Sequence, residues 1–292
     1  MQIKKAFHEK PILIRDALAR AVSVLKGGGV AQPRLEGELL LASLLAIDRV
    51  KLIMNDQNLL SKSSWEQYQN RLQQRVRGWP LQYLIGRQEF MSLDLLVTPS
   101  VLIPRGDTEI LAEEVLALKE KAKKAPTIID VGTGSGAIAV ALAYYWREAK
   151  IYATDISPEA LEIAKKNADR HRVKIEFILG DLLTPFIKNS RKFDIIVSNP
   201  PYIVSGEMKL LPKDVQKEPK LALDGGREGL DYYQKLIPQA MTLLERQGTL
   251  ALEIGWDQGL AVKQMLEHNG FKQIAIIQDY GSRDRVVIGH KE

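Results

Sequence analysis

The sequence predicts an α/β protein built on a doubly wound, mainly parallel sheet and preceded by a small helical bundle. Three observations carry this. Between Thr127 and Ser198 the hydrophobic period alternates between strand and helix, the pattern of consecutive βαβ units. The first strand of that series runs into Asp130-Val-Gly132-Thr133-Gly134-Ser135-Gly136, a glycine-rich turn that opens a helix. After the last helical stretch two strand patterns follow with no helix between them, so the sheet should end in an antiparallel pair at one edge.

Taken in order, Pro11 to Lys26 carries apolar residues at helical spacing (Leu13, Ala17, Leu18, Ala21, Val22, Leu25) until Gly27-Gly28-Gly29 stops it. A second helix is expected from Arg34 to Ala46. A third, more polar one should run from Ser61 or Ser64 to Arg77 and end at Gly78-Trp79-Pro80. No strand pattern precedes residue 82, so residues 1–80 read as a helical bundle. Extended segments at Gln88–Val97 and Val101–Ile103, separated by Thr98-Pro99-Ser100, then read as a β-hairpin linker over residues 81–103. A helix introduced by Pro104-Arg105-Gly106-Asp107 follows, with Asp107 as its expected N-cap. A Lys-rich, exposed connection spans Lys119 to Ala125.

The remainder, within a domain taken as 104–292, is Thr127–Val131, helix 136–147, Lys150–Thr154, helix 158–169, Lys174–Leu179 and Lys192–Ser198. Helix Asp231–Glu245, strand Thr249–Ile254 and helix Gln258–Asn269 come next. Strands Gln273–Gln278 and Arg285–Gly289 complete the chain.

Composition excludes several classes. The 292 residues contain no cysteine, so disulfides, thiolate metal sites and cysteine nucleophiles are absent. Charged residues interrupt the first apolar run as no signal peptide would allow, and the longest uncharged run, Val131–Trp146, is too short for a membrane span. The expectation is a cytoplasmic protein with no membrane partner. Four scattered histidines (His8, His171, His268, His290) have no ligand spacing, read as surface residues and imply no metal. The net charge of +5 is uneven: residues 1–85 hold 13 Lys/Arg against 7 Asp/Glu, and the rest 28 against 29. The basic excess suits an acidic or RNA-associated partner, or a solvated helical surface.

The chemistry is expected at Phe193-Asp-Ile-Ile-Val-Ser-Asn199-Pro200-Pro201-Tyr202. Its apolar centre reads as a strand buried on both faces, and two prolines end it. Ligands of open α/β sheets bind beyond the carboxyl ends of the strands, which places this turn in a site. Pro200 and Pro201 bring carbonyl acceptors without N–H donors, Asn199 adds a side-chain acceptor, and Tyr202 adds a flat face. Such a turn suits a planar group bearing NH2.

In the glycine turn the third glycine falls one position early for a dinucleotide fingerprint. An acid at the end of the strand followed by GxGxG resembles instead the S-adenosylmethionine loop of Rossmann-like methyltransferases. Asp155 ends the second strand 19 residues after Gly136, where a carboxylate can accept both ribose hydroxyls. Asp181, with Leu182 beside it, falls after the third strand, where that family holds the adenine amine. The closing antiparallel pair is a further likeness.

With loop and turn together the chain resembles the HemK/PrmC family of protein-(glutamine-N5) methyltransferases, which modify the Gly-Gly-Gln glutamine of peptide chain release factors. The likeness covers residues 80–292 and includes Tyr83-Leu-Ile-Gly86, Glu89-Phe90, Ile103-Pro-Arg105, Asp107-Thr-Glu109, Glu218-Pro219, Ala222-Leu-Asp-Gly-Gly226, Gly229-Leu230 and Asp284-Arg-Val-Val287. It implies S-adenosyl-L-methionine on Asp130, Gly132, Thr133, Gly134, Ser135, Gly136, Asp155, Asp181, Leu182 and Asn199. It also implies an acceptor glutamine on Asn199, Pro200, Pro201 and Tyr202, with Asn199, Pro200 and Tyr202 as catalytic residues and the bundle as substrate-recognition domain. Arg105 and Glu109 are candidates for supporting the cofactor or turn, or a local ion pair. Release factors are the expected partners and a monomer the expected state, with no nucleic-acid substrate. Three alternatives stay open: a ribosomal-protein glutamine as acceptor, an exocyclic base amine of nucleic acid reached by extrusion, and a non-catalytic binding module.

Overall fold

The structure, a computed structural model, describes residues 12–120, 122–187 and 191–292. Its contacts divide the chain into two compact units, 1–86 and 87–292. The expected helix start at Pro11 and His8 lie outside the described residues.

In the first unit β1 (Ile12–Leu13) leads into α1 (Ile14–Gly27) and α2 (Pro33–Leu44). Then come α3 (Arg49–Met54), β2 (Leu59–Leu60), α4 (Lys62–Val76) and α5 (Leu81–Ile85). Ser61 caps α4 by accepting from the Ser64 N–H at 3.0 Å, and Asp48 caps α3 from Lys51 at 2.7 Å. Two corrections arise here. A two-residue antiparallel pair, β1 with β2, exists where no strand was expected, because a strand of two residues is too short for any periodicity. Helices α3 and α5, one and a half turns each, escaped for the same reason. The core is Ala17, Ala21, Leu25, Leu40, Leu41, Leu52, Tyr68 and Leu72, and the Tyr68 hydroxyl donates to the Gly37 carbonyl at 2.8 Å. Part of the basic excess is spent internally, since buried Glu38 accepts from Arg34 and Arg49 at 3.0 and 2.6 Å.

The second unit opens with a hairpin of β3 (Arg87–Phe90) and β4 (Leu93–Leu96). Its turn is Met91-Ser92, not Thr98-Pro99-Ser100: both residues have positive φ, +49° and +59°, the conformation of a two-residue hairpin loop. Neither is a residue that announces such a turn. Surrounding groups hold it instead, Glu109 accepting the Met91 N–H and Tyr145 donating to the Met91 carbonyl, each at 2.7 Å. Residues 101–103 form no strand.

Next come α6 (Gly106–Ala117), β5 (Thr127–Val131), α7 (Ala137–Tyr145), β6 (Lys150–Asp155), α8 (Pro158–Arg170), β7 (Ile175–Leu179), α9 (Thr184–Ile187) and β8 (Phe193–Ser198). The chain ends with α10 (Asp231–Leu243), β9 (Leu244–Glu253), α11 (Gly259–His268), β10 (Lys272–Gln278) and β11 (Asp284–His290). The seven strands lie in the order β10-β11-β9-β8-β5-β6-β7. All neighbours from β9 to β7 are parallel, and β11 runs antiparallel to both β9 and β10, as the absent crossover helix requires. The order reverses between β5 and β8, which creates a crevice at their carboxyl ends.

Side chains of β8 divide between two cores: Ile195 and Val197 pack with α6 and α7, and Ile196 and, before an irregularity in the strand, Phe193 with α10. The strand is therefore buried on both faces, which a central parallel strand demands. Ser198 donates to the Val131 carbonyl at 2.7 Å and ties β8 to β5 beside the reversal.

Asn167 of α8, wholly buried, fastens the glycine turn to the hairpin. Its Oδ1 accepts the Leu96 N–H at 2.7 Å, while Nδ2 donates to the carbonyls of Leu96 at 3.0 Å and Ser135 at 2.8 Å. Asn167→Ala leaves these buried groups unpaired, and urea unfolding of the second unit should show a loss of roughly 3 kcal/mol.

Candidate active site

The glycine turn is shaped by backbone geometry. Gly132, Gly134 and Gly136 all have positive φ (+71°, +55° and +81°), which residues with a Cβ rarely adopt. A Cβ on Gly136 would sit 3.0 Å from the Cβ of Ala164, so the third glycine also lets α7 approach α8. The N–H groups of Gly132 and Thr133 both donate to the Thr154 carbonyl at 2.9 Å, and Gly134 donates to Asp155 Oδ2 at 2.8 Å. The turn after β5 is thereby locked onto the end of β6.

A cavity of about 170 Å³ lies at these strand ends. Gly132 and Gly134 line it from β5, Asp155 and Ser157 from β6, Asp181 and Leu182 from β7, and Asn199, Pro200 and Pro201 from β8. Asp155 is held by two N–H groups, those of Gly134 and Ser157 (2.9 Å), and burial still raises its pKa. Asp130, Thr133, Ser135 and Gly136 stand behind the wall rather than on it. The Asp130 carboxylate, 1% exposed, turns inward and accepts from the Thr133 hydroxyl at 2.6 Å and the Ala139 N–H at 3.2 Å, while its Oδ1 has no partner. Burial lifts its pKa to about 7.

On the other side of the Asn199-Pro200 step is a second cavity, of about 150 Å³, lined among others by Arg105, Tyr202 and Glu253. Asn199 and Pro200 belong to both walls. The partition is anchored, because Asn199 Nδ2 donates to Thr108 Oγ1 of α6 at 3.1 Å, which leaves Oδ1 as the free end of the amide. Three contacts clamp the turn from behind. Gln258 donates to the carbonyls of Tyr202 and Gly229, both at 3.1 Å, and the Ile203 N–H donates to the Leu223 carbonyl at 3.0 Å. A Cβ on Gly225 would come within 2.7 Å of the Tyr202 Cα, so only glycine permits the 225–229 loop to lie so close.

Arg105 and Glu109 form no local ion pair. Arg105, the N-cap residue of α6 in place of the expected Asp107, pairs with buried Glu218, whose other oxygen accepts the Ile103 N–H at 3.0 Å. Asp107 lies one step into the helix and pairs with Arg285 at 3.2 Å. Glu109 supports the hairpin turn. The lining or anchoring residues that were missed include Thr108, Tyr232 and Glu253. Thr108 sits inside the Asp107-Thr-Glu109 segment, overshadowed by its charged neighbours. Glu253 was legible only as a lone acid ending an otherwise apolar strand. Of the histidines, His268 is exposed, whereas His171 and His290 are half-buried and bonded to the Asp94 carbonyl and the Thr249 hydroxyl, each at 3.0 Å. No described helix is long and apolar enough to cross a membrane.

Family profiles match in two successive parts, a PrmC N-terminal domain over residues 16–86 and a methyltransferase small domain over 107–216. A profile of Eco57I restriction-modification methylase matches 169–274. The release factor glutamine methyltransferase of Moorella thermoacetica is 45% identical over 281 residues, covering 95% of this chain and 98% of its own length. That of Geobacter sulfurreducens is 40% identical over 284 residues, covering 96% and 98%. The chain belongs to the release factor glutamine methyltransferase family.

The fold agrees. A 16S rRNA methyltransferase of Thermus thermophilus, solved in complex with AdoMet and guanosine, superposes with a TM-score of 0.52 at 18% identity, over 70% of this chain and 50% of that one. In a methyltransferase of this kind, a carboxylate buried behind the glycine turn has a cost that follows from its pKa. Protonated Asp130 favours folding, fully so below about pH 4, and the contribution is lost as pH rises through about 7. Asp130→Asn mimics the protonated form, so its melting temperature relative to the parent should rise between pH 5 and pH 8, an increment that thermal melts at both values measure.

Proposed function

We propose that the chain transfers a methyl group from S-adenosyl-L-methionine to the side-chain amide nitrogen of the glutamine in the Gly-Gly-Gln motif of peptide chain release factors. The observation that supports this most is the shared wall: Asn199 and Pro200 border both a cavity with Asp155 and Asp181 at successive strand ends and a second one lined by Arg105, Tyr202 and Glu253. The first suits the cofactor. Asp155 offers acceptor lone pairs for vicinal hydroxyls, Asp181 and Leu182 suit an adenine amine and ring face, and Gly132 and Gly134 leave room that a Cβ would fill. Asp130, Thr133, Ser135 and Gly136 then act by shaping the turn.

When bound, S-adenosylmethionine supplies a methyl group on a sulfonium, a strong electrophile. An amide nitrogen is a poor nucleophile because its lone pair is delocalised, so the protein's task is positioning. Asn199 Oδ1 and the Pro200 carbonyl accept the two N–H hydrogens of the glutamine and aim its nitrogen through the partition, and they stabilise positive charge developing there. Tyr202 packs on the amide plane, with Pro201 completing the wall. Thr108 anchors the Asn199 amide, its hydroxyl oxygen accepting from Nδ2. Arg105, steered by Glu218, brings a donor for the acceptor's carbonyl. The N-terminal unit, matching the PrmC N-terminal domain, is the natural docking surface for the protein substrate.

The Eco57I match favours a second reading, a base amine as acceptor. It covers only part of the second unit, whereas the release-factor relatives match from end to end.

The reading is tested by offering tritiated S-adenosylmethionine with release factor, ribosomal proteins and DNA in parallel. Label should appear on release factor and vanish when the Gly-Gly-Gln glutamine is replaced by alanine; label on DNA alone would promote the second reading. Asn199→Ala should lower kcat by about 10²–10³-fold with little change in cofactor affinity. Asp155→Ala should do the reverse, weakening calorimetric cofactor binding by roughly 1.5–3 kcal/mol.

A further inference from the structure

The second cavity has one polar wall residue to which neither the family resemblance nor the positioning account gives a task. Glu253, the last residue of β9, is 2% exposed, yet it lines this cavity together with Asn199, Pro200, Tyr202 and Arg105. One of its oxygens, Oε1, receives a long 3.5 Å contact from the Tyr202 hydroxyl. The other, Oε2, has no hydrogen-bond partner. Nothing in the strand calls for an acid there, since Ala251, Leu252 and Ile254 are wholly buried and apolar. A buried carboxylate oxygen without a partner weakens the fold, and its persistence on a cavity wall points to a group that arrives with the ligand.

We propose that Glu253 is a further catalytic residue, whose free Oε2 takes the proton that the acceptor amide must lose. This rests on the acceptor reading of the second cavity. The acceptor nitrogen forms its bond to the methyl carbon while the methyl–sulfur bond breaks, its electron pair remaining on sulfur. As positive charge builds on the nitrogen, the hydrogen first held by the Pro200 carbonyl passes to Oε2, the electron pair of that N–H bond stays on nitrogen, and a neutral N-methyl amide faces a neutral carboxylic acid. Water removes the proton from Glu253 once the product has left.

The surroundings suit a base that must exchange protons near neutrality. Burial is the main influence and lifts the Glu253 pKa to about 7, against the lowering effects of the Thr108 hydroxyl and Arg285. Asp107 from α6 pushes in the opposite direction, and Tyr202 lowers it by hydrogen bonding. Tyr233 of α10 donates to the Glu253 main-chain carbonyl at 2.8 Å, and Arg105 faces the same cavity. None of these groups donates a hydrogen bond to Oε2.

The test is a pH profile of methyl transfer to release factor for the wild type, Glu253→Gln and Glu253→Asp, with infrared titration of the free proteins alongside. The wild-type kcat should rise with pH through one ionisation near 7 and then level. Glu253→Gln should lose about 10²-fold in kcat and lose this limb, with cofactor affinity unchanged, and Glu253→Asp should restore part of both. In the infrared, where Asp130 adds a band of its own, the difference between the wild type and Glu253→Gln should show one protonated carboxyl band below pH 7. A flat wild-type profile would overturn the proposal, as would a Glu253→Gln enzyme that keeps the limb. The wild-type profile and the Asp variant decide the matter even if the Gln variant does not fold. Absence of transfer to any Gly-Gly-Gln protein would remove the acceptor reading itself, whereas transfer with a flat profile removes only the role of Glu253.

Discussion

The hydrogen bond from Asn199 Nδ2 to Thr108 is the contact on which the arrangement of the site depends. An asparagine amide presents a donor at one end and an acceptor at the other, and the two ends have nearly the same shape. Thr108 accepts from the donor end, and the acceptor end is left toward the cavities. Thr108 belongs to a helix packed beside the sheet, not to the turn, so the orientation of one atom at the end of β8 is set by the docking of α6. Arg105 and Asp107, on the same helix start, engage Glu218 and Arg285 in the same region. The first turn of α6 thus joins the turn after β8, the loop before α10 and the closing strand β11.

The glycine-turn side obeys a different constraint. There the backbone does the work, through glycines with positive φ and N–H groups that converge on the end of β6. Such a turn has few side chains of its own to hold it. Asn167 and Asp130 supply that hold from below, one through three hydrogen bonds and the other through two. Their difference is instructive. The neutral amide satisfies its surroundings completely, whereas the acid leaves Oδ1 unpartnered and is driven toward its protonated form.

Most of the second unit was legible because its signals are long and redundant. β5 falls on the predicted residues, and the other sheet elements begin or end within a few residues of expectation, β9 starting five residues early. The turn at Asn199 could be read because prolines forbid continuation, and the antiparallel edge because no crossover helix fits. What escaped was of two kinds. Elements of two to six residues, such as β1, β2, α3 and α5, are shorter than the periods that would reveal them. The Met91-Ser92 turn escaped because tertiary contacts from Glu109 and Tyr145 impose a conformation that local sequence does not advertise. The same holds in the site. Arg105 beside Glu109 suggested a local pair, but charges find partners in space, and the partner is 113 residues away.

Four carboxylates of the second unit, Asp130, Asp155, Glu218 and Glu253, have pKa values raised by burial, and their partners separate them. Asp155 is braced by backbone N–H groups, and Glu218 by Arg105 and the Ile103 N–H, so each is compensated by the fold. Asp130 and Glu253 each retain an unpartnered oxygen, but in different places: Asp130 behind the glycine turn, Glu253 among the residues of a cavity wall. Desolvation alone cannot tell a structural acid from a chemical one, since it raises the pKa of both in the same direction. Access can. An acid with no path to a ligand can only serve as a hydrogen-bonding strut, whereas one that lines a cavity can exchange its proton with whatever binds there. The same physical cost therefore yields a brace in one position and a base in the other.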